Sequence, residues 1–201
     1  MGTVDVSEVT ADYIVAHNEN LTKVSFEPQN TTHPTLMNNF QMMTMDSNKE
    51  VYDILNNAIV DMKADGTLDS LIENELKAYI ENDPEPKDLP HFDGAITIKV
   101  GVTGDIPPMD YVASNGKAAG FNIALLTEIA NRAQVNFELV QIDTGARAMA
   151  LSSGKVDALF WSKSFVCSEC NEKWIEQPAG TIVTENYFAD HGAVVVLKSD
   201  K

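Results

Sequence analysis

The chain has few of the residues that usually carry catalysis or metal binding. Its 201 residues include two cysteines, four histidines and two arginines. No segment matches the Gly-x-Ser-x-Gly elbow of many hydrolases, the glycine-rich loop that cradles phosphate, or the His-Glu-x-x-His helix of zinc proteases. The sequence therefore predicts a protein that is not an enzyme and that needs no cofactor.

Long apolar runs are also missing. No stretch of about 18 apolar residues is present, which is the length that crosses a membrane as a helix. The first residues, Met1–Asp5, have neither the basic region nor the apolar region of a signal peptide. If the protein is exported, its targeting segment is expected to lie outside these residues.

Positive charge is scarce as well, and the charge is unevenly distributed. The formal net charge of the chain is −16. Residues 1–96 carry 18 acidic and 5 basic side chains, a net charge of −13, whereas residues 97–201 carry 12 and 9, a net charge of −3. Because such a chain repels phosphate backbones, it is not expected to bind nucleic acid.

Hydrophobic residues make up 44% of the chain, which is enough to build a buried core. The clearest pattern is an apolar stripe with helical spacing, and its members are Val51, Ile54, Leu55, Ala58, Ile59 and Met62. Ser47 followed by Glu50 predicts a capping box at the start of this helix, and Gly66 predicts its end. A second amphipathic helix is predicted from Thr67 to Ile80.

The residues on either side of these helices look different from them. Residues 82–94 are acidic and contain three prolines, and this composition predicts an extended linker. Before the helices, the sequence predicts short strands at Val4–Val9, Leu21–Phe26 and Phe40–Met45, with a helix at Asp12–His17.

After the linker, strands and helices alternate. The predicted elements are a strand at Ile96–Val102, a helix at Phe121–Ala133, a strand at Phe137–Ile142, a helix at Ala146–Ser152 and a strand at Val156–Trp161. This alternation predicts right-handed crossovers and a mostly parallel sheet. Ligands of such sheets usually bind beyond the carboxyl ends of the strands.

Several motifs of this half occur together in one known family. They are Ile98–Tyr111 with its Pro-Pro turn, Gly116-Lys117, Gly120-Phe121-Asn122, Leu151–Ala158, and Thr184–Phe188 leading into Ala193–Leu197. In this order they resemble the opening of the family 3 extracellular solute-binding proteins of bacterial ABC transporters. Upstream, Leu55–Leu71 resembles the closing helices of that family, and Gly2–Asp5 resembles the end of its second lobe.

The resemblance implies an α/β fold, with a periplasmic-binding-protein-like lobe whose mostly parallel sheet is flanked by helices and with an incomplete second lobe. The closing helices precede the opening strand, so the resemblance also implies a fragment in permuted or tandem order. We expect residues 1–35 to be a remnant of the second lobe and residues 36–82 to supply the crossover strand and closing helices of the first. Residues 83–95 are the expected linker, and residues 96–201 the first-lobe core.

The same resemblance implies the function and the partners. It predicts a solute-binding module of an ABC importer that lies outside the cytoplasm and is tethered to the membrane in the full-length protein. The implied partners are a small polar, amino-acid-like solute and the membrane permease of the transporter. Because residues 1–35 lack the rest of their lobe, a homodimer that exchanges this segment or the linker between protomers is also expected.

The family's pattern assigns candidate ligand-binding residues. In the family, an aromatic platform follows the first strand of the lobe, and backbone groups and hydroxyls follow the third. The matching positions here hold Asp105, Tyr111, Trp161 and Ser162. Asp105 favours a cationic or amine-bearing solute, and the tyrosine and tryptophan have packing beneath loops as their alternative role.

One element of the family pattern is absent. The family uses an arginine that holds a solute carboxylate through two parallel hydrogen bonds. Here residues 164–180 form an insertion in that region and contain no arginine. Arg147 is the candidate substitute for it, and a surface ion pair is the alternative role of this residue.

Two other interpretations of the function remain open. Cys167 and Cys170 form a CxxC pair, which fits a disulfide or two idle thiols and, less well, a redox pair or half of a zinc site. A thiol or metal protein is therefore one alternative. The other is a sensory or structural module in which the same lobe has lost its ligand and binds proteins.

Overall fold

The computed structural model describes residues 4–25, 37–83, 85–162, 164–166, 173–175 and 177–198. The strands in these ranges are β1 (Val4–Ser7), β2 (Leu21–Ser25), β3 (Met37–Met45), β4 (Thr97–Val102), β5 (Asp105–Ile106), β6 (Asp110–Val112), β7 (Ala118–Ala119), β8 (Asn136–Gln141), β9 (Ala158–Ser162), β10 (Ser164–Val166), β11 (Lys173–Ile175), β12 (Thr181–Val183) and β13 (Phe188–Leu197). The α-helices are α1 (Glu8–Ala16), α2 (Lys49–Asp65), α3 (Thr67–Leu71), α4 (Phe121–Ala133) and α5 (Arg147–Ser152).

The main sheet has the strand order β8-β4-β9-β3-β13. Strand β4 pairs in parallel with β8 and with β9, while β3 pairs antiparallel with both β9 and β13. Four of these five strands therefore run in one direction and only β3 is reversed. This arrangement confirms the predicted α/β fold with a mostly parallel sheet flanked by helices.

A small sheet, defined here as β1, β2 and the second half of β13, adjoins the main sheet. Strand β13 pairs with β3 through Phe188–His191 and then with β1 and β2 from Gly192 onward. Helix α1 covers one face of the small sheet, where Ala193 and Val195 are buried. One strand therefore belongs to both sheets.

The closing helices pack on the main sheet. The stripe of α2 is buried, with Leu55, Ile59 and Met62 fully enclosed, and it shares one hydrophobic cluster with Leu125 of α4 and Val100 of β4. Burying apolar surface contributes about 25 cal/mol per Å², so this stripe supplies much of the cohesion between the two halves of the chain.

Only one of the two predicted ends of α2 agrees with the structure. Gly66 ends the helix with a positive φ of 81°, as predicted. The predicted start is wrong, because the N-cap residue is Asn48 rather than Ser47 and it makes no side-chain capping hydrogen bond. The helix is instead held by its buried stripe, which outweighs the contribution of about 1 kcal/mol that a cap makes.

The predicted second closing helix is not one continuous α-helix. Helix α3 is followed by a π-helical turn at Ile72–Leu76 and a 3₁₀ turn at Lys77–Tyr79. Leu68 and Leu76 are both buried in the core below α4. Tertiary packing of these side chains, rather than a regular period, fixes the path of this segment.

An arginine ties the closing helices to α4. Arg132 donates to Asp65 Oδ2 and to Thr67 Oγ1, each at 2.8 Å, and to Glu128 Oε1 at 2.7 Å. These contacts hold the turn between α2 and α3 against the C-terminal half of α4.

The segment after the closing helices is extended, as its prolines predict, but it lies on the molecule. Leu89 and Phe92 pack against the main core, and Lys117 forms an ion pair with Asp88 at 2.8 Å. The side chain of Asn136 accepts from Phe92 N at 2.8 Å and donates to Phe92 O at 3.0 Å. This segment is therefore anchored at several points along its length.

Candidate functional site

Three parallel strands end at one edge of the main sheet. Strands β4, β8 and β9 finish there at Val102, Gln141 and Ser162. The loops that follow β4 and β8 carry Asp105 and Arg147. The candidate residues of these loops therefore lie at the edge where ligands of parallel sheets bind.

The loop after β4 folds into a small antiparallel sheet of three strands, β5, β6 and β7, which we call the hairpin. Strand β5 pairs with β6, which places Asp105 opposite Tyr111, and β6 pairs with β7. Gly120 joins the hairpin to α4 with a φ of 101°, and a Cβ atom there would lie 2.6 Å from Pro108 O. The backbone of Phe121 donates to the same Pro108 carbonyl at 3.0 Å. Only glycine fits this junction without strain.

A buried carboxylate fixes the base of the hairpin. Asp110 is 4% exposed, and its Oδ2 accepts from Thr103 N at 2.8 Å and from Thr103 Oγ1 at 3.2 Å. Burial raises the pKa of Asp110, and the backbone N–H groups of Thr103 and Gly104 oppose this shift. Its Oδ1 has no hydrogen-bond partner in the part of the chain that the structure describes. Asp110 was not among the candidate residues selected from the sequence.

Arg147 lies across the ring of Trp161. The guanidinium carbon is 4.9 Å from the ring centroid, a cation–π geometry. Arg147 Nε donates to Thr144 O at 3.2 Å and Nη1 donates to Phe160 O at 3.5 Å. Burial lowers the pKa of Arg147, while the nearby carboxylates of Asp105 and Asp110 raise it.

The alternative role of Arg147 as a surface ion pair is not seen. Among the described residues, no carboxylate lies within 4.0 Å of its guanidinium, although other cations of the protein have such partners. Its charge is oriented by two carbonyl groups and one aromatic ring. Part of the guanidinium's donor capacity is therefore not used by the described residues.

Asp105 lies beside this arginine at the open edge. Its side chain is exposed, and Oδ2 accepts from Thr144 Oγ1 at 3.4 Å. An open depression of about 500 Å³ starts here and is lined by Thr103, Asp105, Gln141 and residues of α5. The edge therefore combines a carboxylate, a guanidinium, a hydroxyl and an indole ring, from Asp105, Arg147, Thr144 and Trp161.

The hydroxyl of Tyr111 lies outside this group of four side chains. That hydroxyl lies near Asp83, and burial together with this carboxylate raises the pKa of Tyr111. The side chain of Ser162, and both Cys167 and Cys170, lie outside the described residues. Thr144 was not selected from the sequence, although its position before Arg147 and after β8 is a signal that could have identified it.

The comparisons with known proteins agree with the family that the motifs predicted. Residues 98–176 match the profile of the bacterial extracellular solute-binding proteins, family 3. The matched segment contains the hairpin, α4, α5 and the carboxyl ends of β4, β8 and β9. The proteins of this family are non-enzymatic binding components of transport systems, which supports a solute-binding role. The search of curated proteins gave no match.

Several solved structures are similar to the chain at low sequence identity. A phosphate-binding protein of a phosphate ABC transporter from Streptococcus pneumoniae TIGR4 is 10% identical, with a TM-score of 0.44 over 93% of this chain and 70% of that chain. The arginine-bound form of domain 1 from TmArgBP, a mutant, is 22% identical, with a TM-score of 0.33 over 49% of this chain and 77% of that chain. NikA from Staphylococcus aureus is 13% identical, with a TM-score of 0.44 over 80% of this chain and 36% of that chain.

The described residues contain neither a membrane-spanning helix nor a metal-binding cluster. No helix among the described residues is long and apolar enough to span a membrane. Within the same residues, no group of three or more His, Cys, Asp or Glu side chains is arranged to hold a metal ion.

Proposed function

We propose that the protein is the solute-binding module of an ABC importer, that it works outside the cytoplasm, and that it binds a small polar solute of amino-acid type. The family match over residues 98–176 supports the class of function. The observation that carries the finer proposal is the guanidinium of Arg147, which lies over Trp161 at the ligand edge of the sheet without an ion-pair partner among the described residues.

The charges at this edge suit a solute that bears both an amine and a carboxylate. Asp105 offers an exposed carboxylate to an ammonium group. Arg147 offers N–H donors to a carboxylate, and charge-assisted hydrogen bonds of this kind are about twice as strong as neutral ones. Trp161 supplies an apolar surface beside both groups. Arg147 would thus replace the arginine that the family places in the region of the insertion.

We expect the affinity of this chain to be weak. The described residues form one extensive sheet and only a small part of a second sheet. A bound solute would therefore have its full set of contacts on one side only. Loss of the opposite contacts limits the dissociation constant to about 1 mM. A binding partner in the transporter, the membrane permease, and a membrane tether in the full-length protein belong to the same proposal.

Titration of the protein with neutral and basic amino acids, followed by NMR chemical shifts or Trp fluorescence, tests the proposal. Arg147→Gln and Trp161→Ala are each expected to weaken binding by at least about tenfold, which corresponds to the loss of one charge-assisted contact. Lys49→Gln removes one positive charge far from the edge and serves as the matched control. Submicromolar affinity, or binding that both variants leave unchanged, would contradict the proposed site.

The proposal includes a homodimer. Helix α1 covers one face of the small sheet, and on this sheet Val24 is 51% exposed and Leu197 is 57% exposed. A second copy that packs on this sheet would cover such apolar surface, and exchange of residues 1–35 or of the linker between protomers would join the two copies. Light scattering over a range of protein concentrations tests this, and Val24→Asp is expected to shift a dimer toward monomer. A strict monomer at high concentration would rule the dimer out.

A further inference from the structure

Three side chains converge on one carboxylate where the small sheet meets the hairpin. Tyr13 Oη of α1 donates a hydrogen bond of 2.5 Å to Asp83 Oδ1. Tyr111 in β6 lies near the same carboxylate, whose negative charge acts on its hydroxyl. His17 Nε2 lies 3.7 Å from Asp83 Oδ1. Asp83 itself follows the closing helices and belongs to neither α1 nor the hairpin.

The geometry of α1 directs two of these groups toward Asp83. The rings of Tyr13 and His17 stack with their centroids 4.0 Å apart and an interplanar angle of 22°. His17 Nδ1 lies 2.9 Å from Tyr13 O, and because a carbonyl oxygen only accepts, Nδ1 carries a proton in this arrangement. The other ring nitrogen, Nε2, faces the carboxylate, and it attracts that carboxylate when the imidazole is protonated on both nitrogens.

The tyrosine hydroxyls remain donors over the whole physiological range. The Tyr13 side chain is buried, with 7% of the residue exposed. Burial, the hydrogen bond with Asp83 and its negative charge all raise the pKa of Tyr13. Hydrogen bonds from a hydroxyl to an ionised carboxylate belong to the strong class, which fits the short distance seen here.

We propose that Tyr13, His17 and Tyr111 form a carboxylate clamp, that Asp83 occupies it, and that the clamp holds helix α1 against the hairpin that carries Asp105. The proposal goes beyond solute binding, since the clamp is filled by the chain's own side chain. Its ligand class is a small monocarboxylate, because formate or acetate presents the same two oxygens as the Asp83 side chain.

Removal of the Asp83 carboxylate tests the clamp. In Asp83→Ala, backbone amides of α1 near Tyr13 and His17 are expected to exchange with solvent at least about tenfold faster than in the unaltered protein, since hydrogen bonds to charged groups are lost. Sodium acetate at about 100-fold excess over its dissociation constant is expected to restore the slow exchange, whereas sodium chloride at equal ionic strength is not. Hydrogen–deuterium exchange read by mass spectrometry measures both effects.

Milder variants keep the test decisive if Asp83→Ala folds poorly. Tyr13→Phe and Tyr111→Phe each delete one hydroxyl and are expected to speed exchange in α1 by smaller factors. Asp93→Asn is the matched control, because Asp93 is fully exposed in the same extended segment. Unchanged exchange in Asp83→Ala, or recovery that chloride produces as well as acetate, would overturn the proposal.

Discussion

The main sheet and the small sheet differ in how deeply they are buried. The main sheet is packed on both faces, with α2 and α4 over Val100 on one side and α5 over Leu159 on the other. Among the described residues, the buried cluster between the small sheet and α1 comprises Ala11, Ala193 and Val195. Stability within one chain is not uniform, and regions with small cores open first. The small sheet is therefore expected to depend on what joins it to the rest of the molecule.

The largest effect is expected when the main sheet loses its closing helices. Expression of residues 96–201 alone would remove β3 from the main sheet together with the closing helices, and would expose the face of α4 that α2 and α3 bury, including Leu125. We expect an aggregating or molten product, seen as ANS binding and loss of near-UV circular dichroism. A well-folded monomer from these residues would show that the rest of the main sheet is independent of β3 and the helices, and would break the comparison.

The second-largest effect is expected when a buried side chain in the core of the main sheet is truncated. Leu55 is fully buried in α2, and Leu55→Ala is expected to lower the free energy of unfolding by about 2–5 kcal/mol. Val195→Ala is the counterpart in the small sheet, where Val195 is 4% exposed, and there the loss is expected to be confined to the small sheet and α1. Denaturant unfolding combined with hydrogen exchange separates the two. Equal global destabilisation by both substitutions would mean that the two sheets unfold as one unit.

A smaller effect is expected at the junction between hairpin and helix. Gly120→Ala forces a Cβ atom to 2.6 Å from Pro108 O at a φ of 101°, which costs about 1–3 kcal/mol. Gly145→Ala is the matched control, because no atom lies within 4 Å of its Cβ position. The control is expected to be neutral or slightly stabilising. Thermal melting of both variants measures the difference, and a neutral Gly120→Ala would show that the hairpin can shift away from α4.

The smallest effect concerns the ion pair that holds the closing helices. The Arg132 guanidinium lowers the pKa of Asp65 to about 2, below its ordinary value of 3.8. A depressed carboxylate pKa contributes stability above the unfolded pKa, and that stability is lost as the pH falls through the folded value. Asp65→Asn should thus lower the urea midpoint slightly at pH 6 but not near pH 2. Asp53→Asn, in an exposed pair within α2, is the control.

Much of the main sheet could be predicted from the sequence because its signals are local. The stripe of α2, the bounds of α4 and the strands that became β4, β8 and β9 are periodic over short windows, and periodicity reports which face is buried. The edge at which β4, β8 and β9 end also followed from the order of these strands. Gly66 was also predictable, since a positive φ at a helix end favours glycine.

The contacts that the sequence did not reveal join residues far apart in the chain. Tyr13 and Asp83 are separated by 70 positions, so no local pattern shows that they meet. The approach of Tyr111 to the same carboxylate was missed for the same reason. The turn at Ile72–Leu76 was missed because a π-helix and an α-helix share the same apolar residues over such a short span.

Because strand β13 belongs to both sheets, a force applied to it should separate the two sheets in a fixed order. Its pairing partners change between His191 and Gly192, from β3 of the main sheet to β1 and β2 of the small sheet. A pulling force applied at its carboxyl end meets the weaker sheet first, and the rupture stops where β3 begins to pair. A single-molecule extension trace would then contain an early short step before the main event, and the length of that step would count the residues of the small sheet.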